Sequence, residues 1–499
     1  MNLKLLFALL VITVSNAQIQ IGQDIDGDTP GDNFGHAVAL SRDGSTMAIS
    51  APNSNSNGNQ SGFVRVFSKS SGNWTQLGQD IQGDVNNTLG HKIALSADGS
   101  VLGISVTGAS KVCVYKYTSG KWQKIGQDIN GLHIGFGITI ALSDDGSIIA
   151  IGNASSLNPS IISTASVYKN IAGNWTNIGI FNPSILPNEK TSETFGFSVS
   201  LSADGSVLAF SDIDAPKGFV AVFKYNMGTW TKIGNTLYGK SNSDKFGFRT
   251  ALSADGTVLA ISSREGDGGN GPSSGYVKVY KNTANNWVQI GSDIAGELSN
   301  DYCGSGISMS ANGEVIAIGS AQSDINFIDS GSVRIYQNIG GTWIQQGQSI
   351  HGSTENGYAG WAIALSATGA DLVMGIGENT VAGKASDTPL GNVVTNVYDT
   401  KRKGSGSGYV QVYDLQSILS SDSFVLENFN IYPSPTTDIL NIELDNTLTL
   451  EKVIIYNTNG QLVKEASGKK IDLSGLAKGI YNVQVLTNKG KATKKVIVK

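Results

Sequence analysis

Cysteine, proline and charge are all scarce in this 499-residue chain. It has two cysteines, ten prolines and only 15% charged residues, with a formal net charge of −5. Cys113 and Cys303 fall at different positions of the repeat described below, so we expect no disulfide and interpret both as small buried residues. The weak negative charge and the lack of a basic stripe argue against a nucleic-acid partner.

Long apolar runs are also missing. A membrane-spanning helix needs roughly 20 apolar residues, and the longest run covers only residues 5–14. Lys4 precedes this run and Ser15-Asn16-Ala17 follow it, which is typical of a secretory signal peptide. We therefore predict a signal peptide at 1–17, a mature chain from Gln18 and no membrane span. A buried N-terminal strand is the alternative.

Glycine, by contrast, is abundant. The 62 glycines follow no Gly-X-Y period, which indicates many tight turns and an all-β fold. One line, FGHAVALSRDGSTMAIS at its first occurrence, is found seven times at intervals of 47 to 59 residues. The copies begin at Phe34, Leu89, Phe136, Phe195, Phe246, Cys303 and Ala359.

Each copy contains Asp-Gly, Asn-Gly or Thr-Gly between two apolar runs. This pattern predicts two antiparallel strands joined by a two-residue type I′ turn. A third strand such as SGFVRVF (61–67) and a fourth such as WTQLGQDI (74–81) follow. Four antiparallel strands in about fifty residues are typical of a β-propeller blade.

The seventh copy lacks a fourth strand that begins with Trp. An isolated version of that strand, QIQIGQDI, instead lies at 18–25, with Gln18 in the column of Trp74. We predict that this segment pairs with the third strand of the last repeat and removes an exposed edge. The predicted domain at 18–414 is a seven-bladed β-propeller closed by its N-terminal strand.

The line from Phe34 to Pro52 resembles FG-GAP repeats, the integrin-type propeller, and the resemblance covers about 18–414. Calcium-binding repeats of that family have an Asp/Asn-rich loop between the first two strands. Here the loop is as short as SRDG, whereas calcium takes 6–8 oxygen ligands. We therefore expect no cofactor and no metal site. The recurring aspartates are interpreted as turn formers: Asp43, Asp98, Asp145, Asp204 and Asp255.

A second segment starts at Phe424, after a predicted linker at 415–423. Ten Lys against seven Asp or Glu give it a charge of +3, which leaves −8 on the rest of the chain. Alternating residues at 430–444, 453–463 and 471–485 predict a small Ig-like β-sandwich over 424–499.

Several ordered motifs in 424–499 closely resemble the type A C-terminal sorting domain of type IX secretion, found in Bacteroidota. The motif residues are Tyr432, Pro433, Pro435, Gly460, Gly479 and Tyr481. The resemblance implies Sec transport followed by outer-membrane export, with the type IX machinery as partner and a secreted or cell-surface location. The alternative is an ordinary Ig-like binding module.

Loop lengths separate the two faces of the predicted propeller. The 1–2 and 3–4 connections are short, whereas the 2–3 connections, such as 51–60 and 263–274, are long and dissimilar. Variable loops on a rigid scaffold are where binding is usually located. The candidate ligand-face acids are Asp212, Asp214, Glu265, Asp267, Asp324, Asp329, Glu378 and Asp387.

Other polar residues are interpreted as structural. His36 and His91 share a column with Phe197, Phe248 and Trp361, so we expect them to pack near the axis. His133 and His351 have no matching Cys or His cluster. The aspartates of the GQDI phrase recur with the repeat: Asp24, Asp80, Asp128 and Asp293. A functional site should break the symmetry of the repeat, so we interpret these four as structural.

Two functions remain open from the sequence. The first is a non-catalytic surface propeller that binds a glycan, a protein or a matrix component. The alternative is a secreted polysaccharide hydrolase or lyase that uses a pair of loop carboxylates. No sequence feature selects such a pair, so we lean towards a non-enzyme whose extracellular ligand is unknown.

Overall fold

The computed structural model describes residues 18–133, 135–154, 162–377, 406–419, 425, 428–445, 448–458, 461–488 and 490–499. The predicted signal peptide lies outside these residues. The described chain is dominated by β-strands. It opens with two short strands, β1 (Ile19–Gln20) and β2 (Ile25–Asp26).

Within the described residues, seven antiparallel sheets follow the seven copies of the repeat. Sheet 1 contains β3 (Val38–Leu40), β4 (Thr46–Ala51), β5 (Phe63–Ser70), β6 (Asn73–Gln76) and β7 (Ile81–Gln82). Sheet 2 contains β8 (Leu89–Leu95), β9 (Val101–Val106), β10 (Lys111–Thr118), β11 (Lys121–Lys124) and β12 (Ile129–Asn130). Sheet 3 contains β13 (Phe136–Leu142), β14 (Ile148–Asn153), β15 (Thr164–Ile171) and β16 (Asn174–Phe181).

The next four sheets have the same antiparallel order. Sheet 4 contains β17 (Phe195–Leu201), β18 (Val207–Asp212), β19 (Phe219–Asn226), β20 (Thr229–Lys232) and β21 (Leu237–Tyr238). Sheet 5 contains β22 (Phe246–Leu252), β23 (Val258–Ser263), β24 (Tyr276–Thr283), β25 (Asn286–Gln289) and β26 (Ile294–Ala295). Sheet 6 contains β27 (Cys303–Met309), β28 (Val315–Ser320), β29 (Ser332–Ile339) and β30 (Thr342–His351). Sheet 7 contains β31 (Ala362–Leu365), β32 (Asp371–Ile376) and β33 (Tyr409–Asp414), joined by β1 and β2.

The seven sheets are arranged in a propeller-like circle with their first strands innermost. Each first strand contacts the first strand of the next sheet, and β31 returns to contact β3. A circle of backbone hydrogen bonds runs through the turns that end these strands. The Arg42 N–H donates to the Ala97 carbonyl (2.9 Å), and the series ends where the Ala367 N–H donates to the Arg42 carbonyl (2.7 Å). The donors between them are Ala97, Asp144, Ala203, Ala254 and Ala311.

The N-terminal segment makes the pairing that the repeat predicts. Ile19 lies opposite Asp414, and Ile25 lies opposite Val410. The Gln18 side-chain amide donates to the Gln348 carbonyl of sheet 6 (2.5 Å). In five other sheets a tryptophan in the same column donates its indole N–H to the preceding sheet, as Trp122 does to the Leu77 carbonyl (2.9 Å). Gln18 therefore replaces the tryptophan as the link between neighbouring sheets.

The 1–2 turn is not the predicted type I′ turn. The Gly44 N–H donates to the Ser41 carbonyl (3.0 Å), so Arg42 and Asp43 are the central residues, and only Gly44 has a positive φ, of 73°. Asp43 accepts hydrogen bonds from the Ser41 hydroxyl (2.7 Å) and the Ser45 N–H (2.9 Å). These bonds hold the aspartate at negative φ and move the left-handed residue to the glycine. The role of the aspartates as turn formers is confirmed.

Both cysteines are free and buried, as expected. After β33, Leu415 and Ile418 pack into the core of sheet 7, and residues 416–419 form the short helix α1 (Gln416–Leu419). The first part of the predicted linker is therefore attached to the last sheet.

The C-terminal segment forms two further sheets around one shared core. That core includes Phe429 and Leu440 from one sheet and Val453 and Val483 from the other. The strands are β34 (Phe429–Tyr432), β35 (Ile439–Leu444), β36 (Leu450–Tyr456), β37 (Leu462–Ala466), β38 (Lys470–Asp472), β39 (Gly479–Thr487) and β40 (Gly490–Val498). Sheet order is β34-β35-β38 in one layer and β37-β36-β39-β40 in the other.

Candidate functional site

The long 2–3 loops and the 4–1 connections meet on one side of the circle. The Asn86 N–H donates to the Asn59 carbonyl (2.7 Å), and the Tyr358 N–H donates to the Asp329 carbonyl (3.0 Å). Equivalent bonds join these two kinds of loop elsewhere in the circle. We call this side the loop face, and the opposite side, which carries the 1–2 and 3–4 turns, the turn face.

Asp212 is removed from the ligand-face candidates because it is fully buried. Its carboxylate accepts hydrogen bonds from the Ser192 N–H (2.6 Å) and the Thr194 hydroxyl (3.0 Å). Burial raises the pKa of Asp212, although these hydrogen bonds act in the opposite direction. The residue ties a 2–3 loop to the neighbouring 4–1 connection. Asp214, two residues later, forms an ion pair with Lys245.

Glu265 and Asp267 lie together in the 2–3 loop of sheet 5. The side chain of Glu265 is half-buried, and that of Asp267 is exposed. The Asp267 carboxylate accepts from the Gly269 N–H (2.7 Å), which shapes its own loop. Within the described residues, Asp267 is not paired with another predicted candidate.

Asp324 and Asp329 are the two candidates that the structure brings together. They are the ends of one loop, and the Asp324 carboxylate accepts from the Asp329 N–H (2.7 Å). Burial and the neighbouring charge of Asp324 raise the pKa of Asp329. Between them Ile325, Phe327 and Ile328 are 45%, 52% and 61% exposed, and we call these three residues the apolar loop patch. Glu378 and Asp387 lie outside the described residues.

The innermost strands bulge where the repeat has its invariant second-position glycine. In sheet 2, Leu89 pairs with Val106, but the next paired residue is Ile93, opposite Ile104. Gly90 has a φ of 100°, which favours glycine because it has no Cβ. A bulge leaves its extra residues unpaired and redirects their side chains.

Serines on the second strands support the bulges that carry cations. The Lys92 N–H donates to the Ser105 hydroxyl (2.8 Å), and the Arg249 N–H donates to the Ser262 hydroxyl (2.9 Å). These side-chain acceptors replace the backbone carbonyls that the bulge displaces. The local sequence therefore fixes the backbone of Lys92 and Arg249 at the centre of the circle.

A cationic and aromatic cluster results at the loop-face end of the axis. The rings of His36 and His91 lie 5.2 Å apart, which agrees with the prediction that both pack near the axis. The guanidinium of Arg249 lies over the rings of Phe248 (4.5 Å) and Trp361 (5.2 Å). We call His36, His91, Lys92 and Arg249 the axial cluster.

Burial and, after it, neighbouring positive charges lower the pKa values of Lys92, His36 and His91. Burial, followed by the charge of Arg249, lowers the pKa of Lys92 to about 7. Burial, followed by the charges of Lys92 and Arg249, lowers the pKa of His36 to about 3, and the pKa of His91 is also well below its ordinary value. Both histidines are therefore neutral at pH 7.

Sequence reasoning missed Lys92 and Arg249. They occupy a column whose other members are small: Ala37, Thr139, Ser198, Gly306 and Ala362. Two cations in a column of small residues break the symmetry of the repeat, and this signal was available in the sequence.

The GQDI aspartates make repeated structural contacts. Asp80 pairs with Arg65 (2.8 Å), and Asp128 pairs with Lys111 (2.9 Å), in each case joining the fourth-strand phrase to the third strand. Asp293 pairs with Lys240 (2.8 Å). Their structural interpretation is confirmed for these three residues.

The described sorting-motif residues lie on the C-terminal sandwich. Tyr432, Pro433, Pro435 and Gly479 are exposed, whereas Tyr481 is buried and its hydroxyl donates to the Ala477 carbonyl (2.8 Å). Gly460 lies outside the described residues.

The sandwich contacts the ring through Lys491. Its ammonium group donates to the Gln346 side-chain carbonyl of sheet 6 (2.9 Å) and to the Ile418 carbonyl. Burial lowers the pKa of Lys491 to about 8. A cleft of about 1380 Å³ lies between the two parts and is lined by Arg334 of the ring and Lys452 of the sandwich. The cleft depends on the presence of both parts.

Metal clusters and membrane-spanning helices are both absent from the described part of the chain. No three His, Cys, Asp or Glu side chains there come close enough together to hold a metal ion. No helix there is long and apolar enough to cross a bilayer.

Residues 430–499 match the family model described as "Secretion system C-terminal sorting domain". The C-terminal segment is therefore a type IX sorting domain, which implies an interaction with the secretion machinery and points to a secreted or cell-surface protein. Over 74 residues the chain is 36% identical to "Beta-agarase D" of Zobellia galactanivorans. The matched residues make up 14% of this chain and 15% of the agarase. The chain thus spans only a small part of that curated relative.

Several solved structures resemble the fold at low sequence identity. U3-55K matches with a TM-score of 0.48 and 12% identity, over 80% of this chain and 98% of its own. Hydrazine synthase of Kuenenia stuttgartiensis matches with a TM-score of 0.47 and 14% identity, over 71% of this chain and 94% of its own. The Cps50 (Swd1) β-propeller domain of Myceliophteria thermophila matches with a TM-score of 0.45 and 10% identity, over 76% of this chain and 96% of its own. These scores carry no functional argument.

Proposed function

We propose that residues 18–414 are a seven-bladed, FG-GAP-type β-propeller that acts outside the cell as a non-catalytic binding module. The Ig-like sandwich at 424–499 delivers it by type IX secretion after a Sec signal peptide at 1–17. The seven sheets and the closed circle of turn hydrogen bonds support the blade count. The ligand binds the loop face.

The apolar loop patch is the observation that carries this proposal. Ile325, Phe327 and Ile328 expose roughly half of their surfaces within four residues of one another. Clustered apolar side chains on the surface of a soluble protein mark interaction sites. The loop is also held in shape, because the Asn356 N–H donates to the Ile328 carbonyl (2.9 Å). A preformed loop loses less conformational entropy when it binds.

The chemistry of the patch favours a protein ligand over a glycan. Aliphatic and aromatic side chains form the buried centres of protein interfaces, with polar residues at the rim. Asp324 and Asp329 flank the apolar residues and provide such a rim. We therefore expect a partner surface with an apolar centre and one or two basic residues beside it.

The test compares the two faces of the ring. The full chain is applied to arrays of extracellular proteins and of polysaccharides, beside two double variants. Phe327→Ser with Ile328→Ser removes the patch. Met227→Ser with Ile171→Ser is the matched control, because Met227 is 97% exposed in a 3–4 turn and Ile171 is 51% exposed at the end of β15, both on the turn face.

We expect one or more protein ligands for the wild type, a loss of binding of at least tenfold in the loop-face variant, and unchanged binding in the turn-face variant. Binding to polysaccharides alone would replace the protein ligand with a glycan. Equal binding by all three chains would exclude the loop-face patch.

A secreted hydrolase remains a second candidate because of one observation, the raised pKa of Asp329 beside Asp324. Glycoside hydrolases use two carboxyl groups, and the one that acts as general acid has a raised pKa. Incubation of the full chain with the polysaccharides of the array, followed by assay of released reducing ends, tests it. Turnover that is abolished by Asp324→Asn and by Asp329→Asn would overturn the binding module in favour of an enzyme.

A further inference from the structure

Lys92 of the axial cluster has no evident structural role. Five of the six positions equivalent to Lys92 hold alanine, serine, threonine or glycine, and the sixth holds Arg249, so a lysine is not needed to form the first strand. The ammonium group of Lys92 makes no hydrogen bond or ion pair within the described residues. The charges that act on it and on the two histidines all come from cations or from each other.

Two histidine nitrogens near Lys92 lack hydrogen-bond partners. The Nε2 atom of His36 and the Nδ1 atom of His91 are buried without a hydrogen-bond partner in the structure. The other nitrogen of His36 is paired, since Nδ1 lies 3.1 Å from the Asn33 amide nitrogen. A neutral imidazole can donate from one nitrogen. Buried polar atoms without partners are rare and call for an explanation such as an absent ligand.

The side chains of the cluster are only partly buried. His36, His91, Lys92, Arg249 and Trp361 all retain part of their solvent-accessible surface, unlike the fully buried core of the sheets. They follow directly after the 4–1 connections, so they lie at the loop-face end of the axis. Clefts lined by one sign of charge with low-dielectric walls concentrate counter-ions.

We propose that the axial cluster is a binding site for an oxyanion, a sulfate or carboxylate group, at the loop-face mouth of the ring axis. Lys92 supplies a point charge, Arg249 adds a second cation, and the unpaired nitrogens of His36 and His91 donate hydrogen bonds. Hydrogen bonds from charged donors to carboxylates and similar anions are roughly twice as strong as neutral ones. A bound anion would also relieve the repulsion between Lys92 and Arg249.

The aromatic neighbours restrict the shape of the ligand. Phe248 and Trp361 lie 6.0 Å apart, and Arg249 is held over both rings. A free inorganic anion would use the cations and histidines alone. A sugar acid or sugar sulfate could use the same anion site and also contact an aromatic ring.

Isothermal titration of the full chain at pH 6, where Lys92 is protonated, tests the proposal, with sodium sulfate, galacturonate and neutral galactose as probes at constant ionic strength. Lys92→Met removes the charge with little change in size. Lys116→Met is the matched control, because Lys116 is exposed on a third strand of the same sheet. His91→Phe reproduces a residue that the repeat already holds at this column, in Phe197 and Phe248, and should therefore fold.

We expect saturable binding of sulfate or galacturonate to the wild type and to Lys116→Met, and at least tenfold weaker binding to Lys92→Met and His91→Phe. Galactose should not bind. Binding of galacturonate without sulfate would support the proposal and assign the anion to a sugar acid. Saturation by neither anion, or wild-type affinity in Lys92→Met, would overturn it.

Discussion

Replacing Lys92 by methionine should stabilise the ring below pH 9, and the gain should shrink as the pH rises. The free-energy cost originates in the axial cluster, where burial and the charge of Arg249 lower the pKa of Lys92 from 10.5 to about 7. Each pKa unit corresponds to 1.36 kcal/mol, so keeping Lys92 protonated costs about 5 kcal/mol at most. The accessible surface that Lys92 retains screens its charge, so the measured value should be smaller.

The direction of the pH dependence follows from proton binding. Between pH 7 and pH 10.5 the unfolded chain holds a proton on Lys92 that the folded chain has released. Stability therefore rises with pH in this window. From pH 6 to pH 9 Lys92 alone should raise the free energy of unfolding by about 2–3 kcal/mol. For a ring of roughly 400 residues this corresponds to about 3 °C in melting temperature.

Thermal melts of the wild type, Lys92→Met and Lys116→Met at pH 6 and pH 9 test this reasoning. Other groups also titrate in this range, Lys491 among them, so the informative quantity is the difference between each variant and the wild type. Lys92→Met should be more stable than the wild type at pH 6 by a few degrees and closer to it at pH 9. A destabilised Lys92→Met, or a pH-independent difference, would refute the electrostatic account of the cluster.

Two further predictions concern the turns and the tail. Asp204→Ala removes the acceptor of the Ser202 hydroxyl (2.6 Å) and the Ser206 N–H (2.9 Å), so the urea midpoint should fall by an amount equivalent to about 1–3 kcal/mol. The exposed-loop variant Asp267→Ala should change the urea midpoint by less than half as much. Equal effects of the two variants would contradict the structural role of the turn aspartates. Deletion of 424–499 should leave the ring folded but hold the protein in the periplasm; fractionation that finds the truncated chain at the cell surface or in the medium would reject the sorting role.

The repeat made the sheets predictable because each strand position recurs in several copies. Three features recur at the same place in nearly every sheet: Gly90 and its equivalents, the tryptophans of the fourth strands, and the Asx-Gly turns. The unpaired phrase at Gln18 predicted its pairing with β33 for the same reason, since one copy of the repeat lacked a strand.

The turn type was mispredicted because the Asx-Gly pair alone favours a type I′ turn, whereas the serines on either side of it favour a different one. Ser41 and Ser45 bind the Asp43 carboxylate and hold that residue at negative φ. Asp212 was misassigned for a related reason. It is the last residue of the second strand, β18, so it lies in the buried end of the sheet rather than in the loop beyond it.

The axial cluster was not predicted because its residues lie on the first strands, whereas binding residues are usually found in variable loops. Lys92 and Arg249 come from different repeats, 157 positions apart in the chain, and only closure of the ring places them together. The apolar loop patch could not be selected either, since hydrophobic residues in a loop are exposed or buried according to how the loop folds.

Closure of the ring by the N-terminal segment is the claim on which both the loop face and the axial cluster depend. Besides the paired strands, the Ile21 N–H donates to the Val412 carbonyl (2.7 Å) and the Gly27 N–H donates to the Gly408 carbonyl (2.9 Å). At about 1 kcal/mol for each of several backbone hydrogen bonds, together with the partial burial of Ile21 and Ile25, the segment should contribute about 4–6 kcal/mol.

Amide hydrogen exchange at residues 409–414 measures this closure directly, in the chain that begins at Gln18 and in one that lacks 18–27. We expect strong protection in the first chain, and in the second a loss of protection there with a melting temperature lower by about 5 °C or more. Equal protection and equal melting temperatures in both chains would contradict a ring closed by its N-terminal strand.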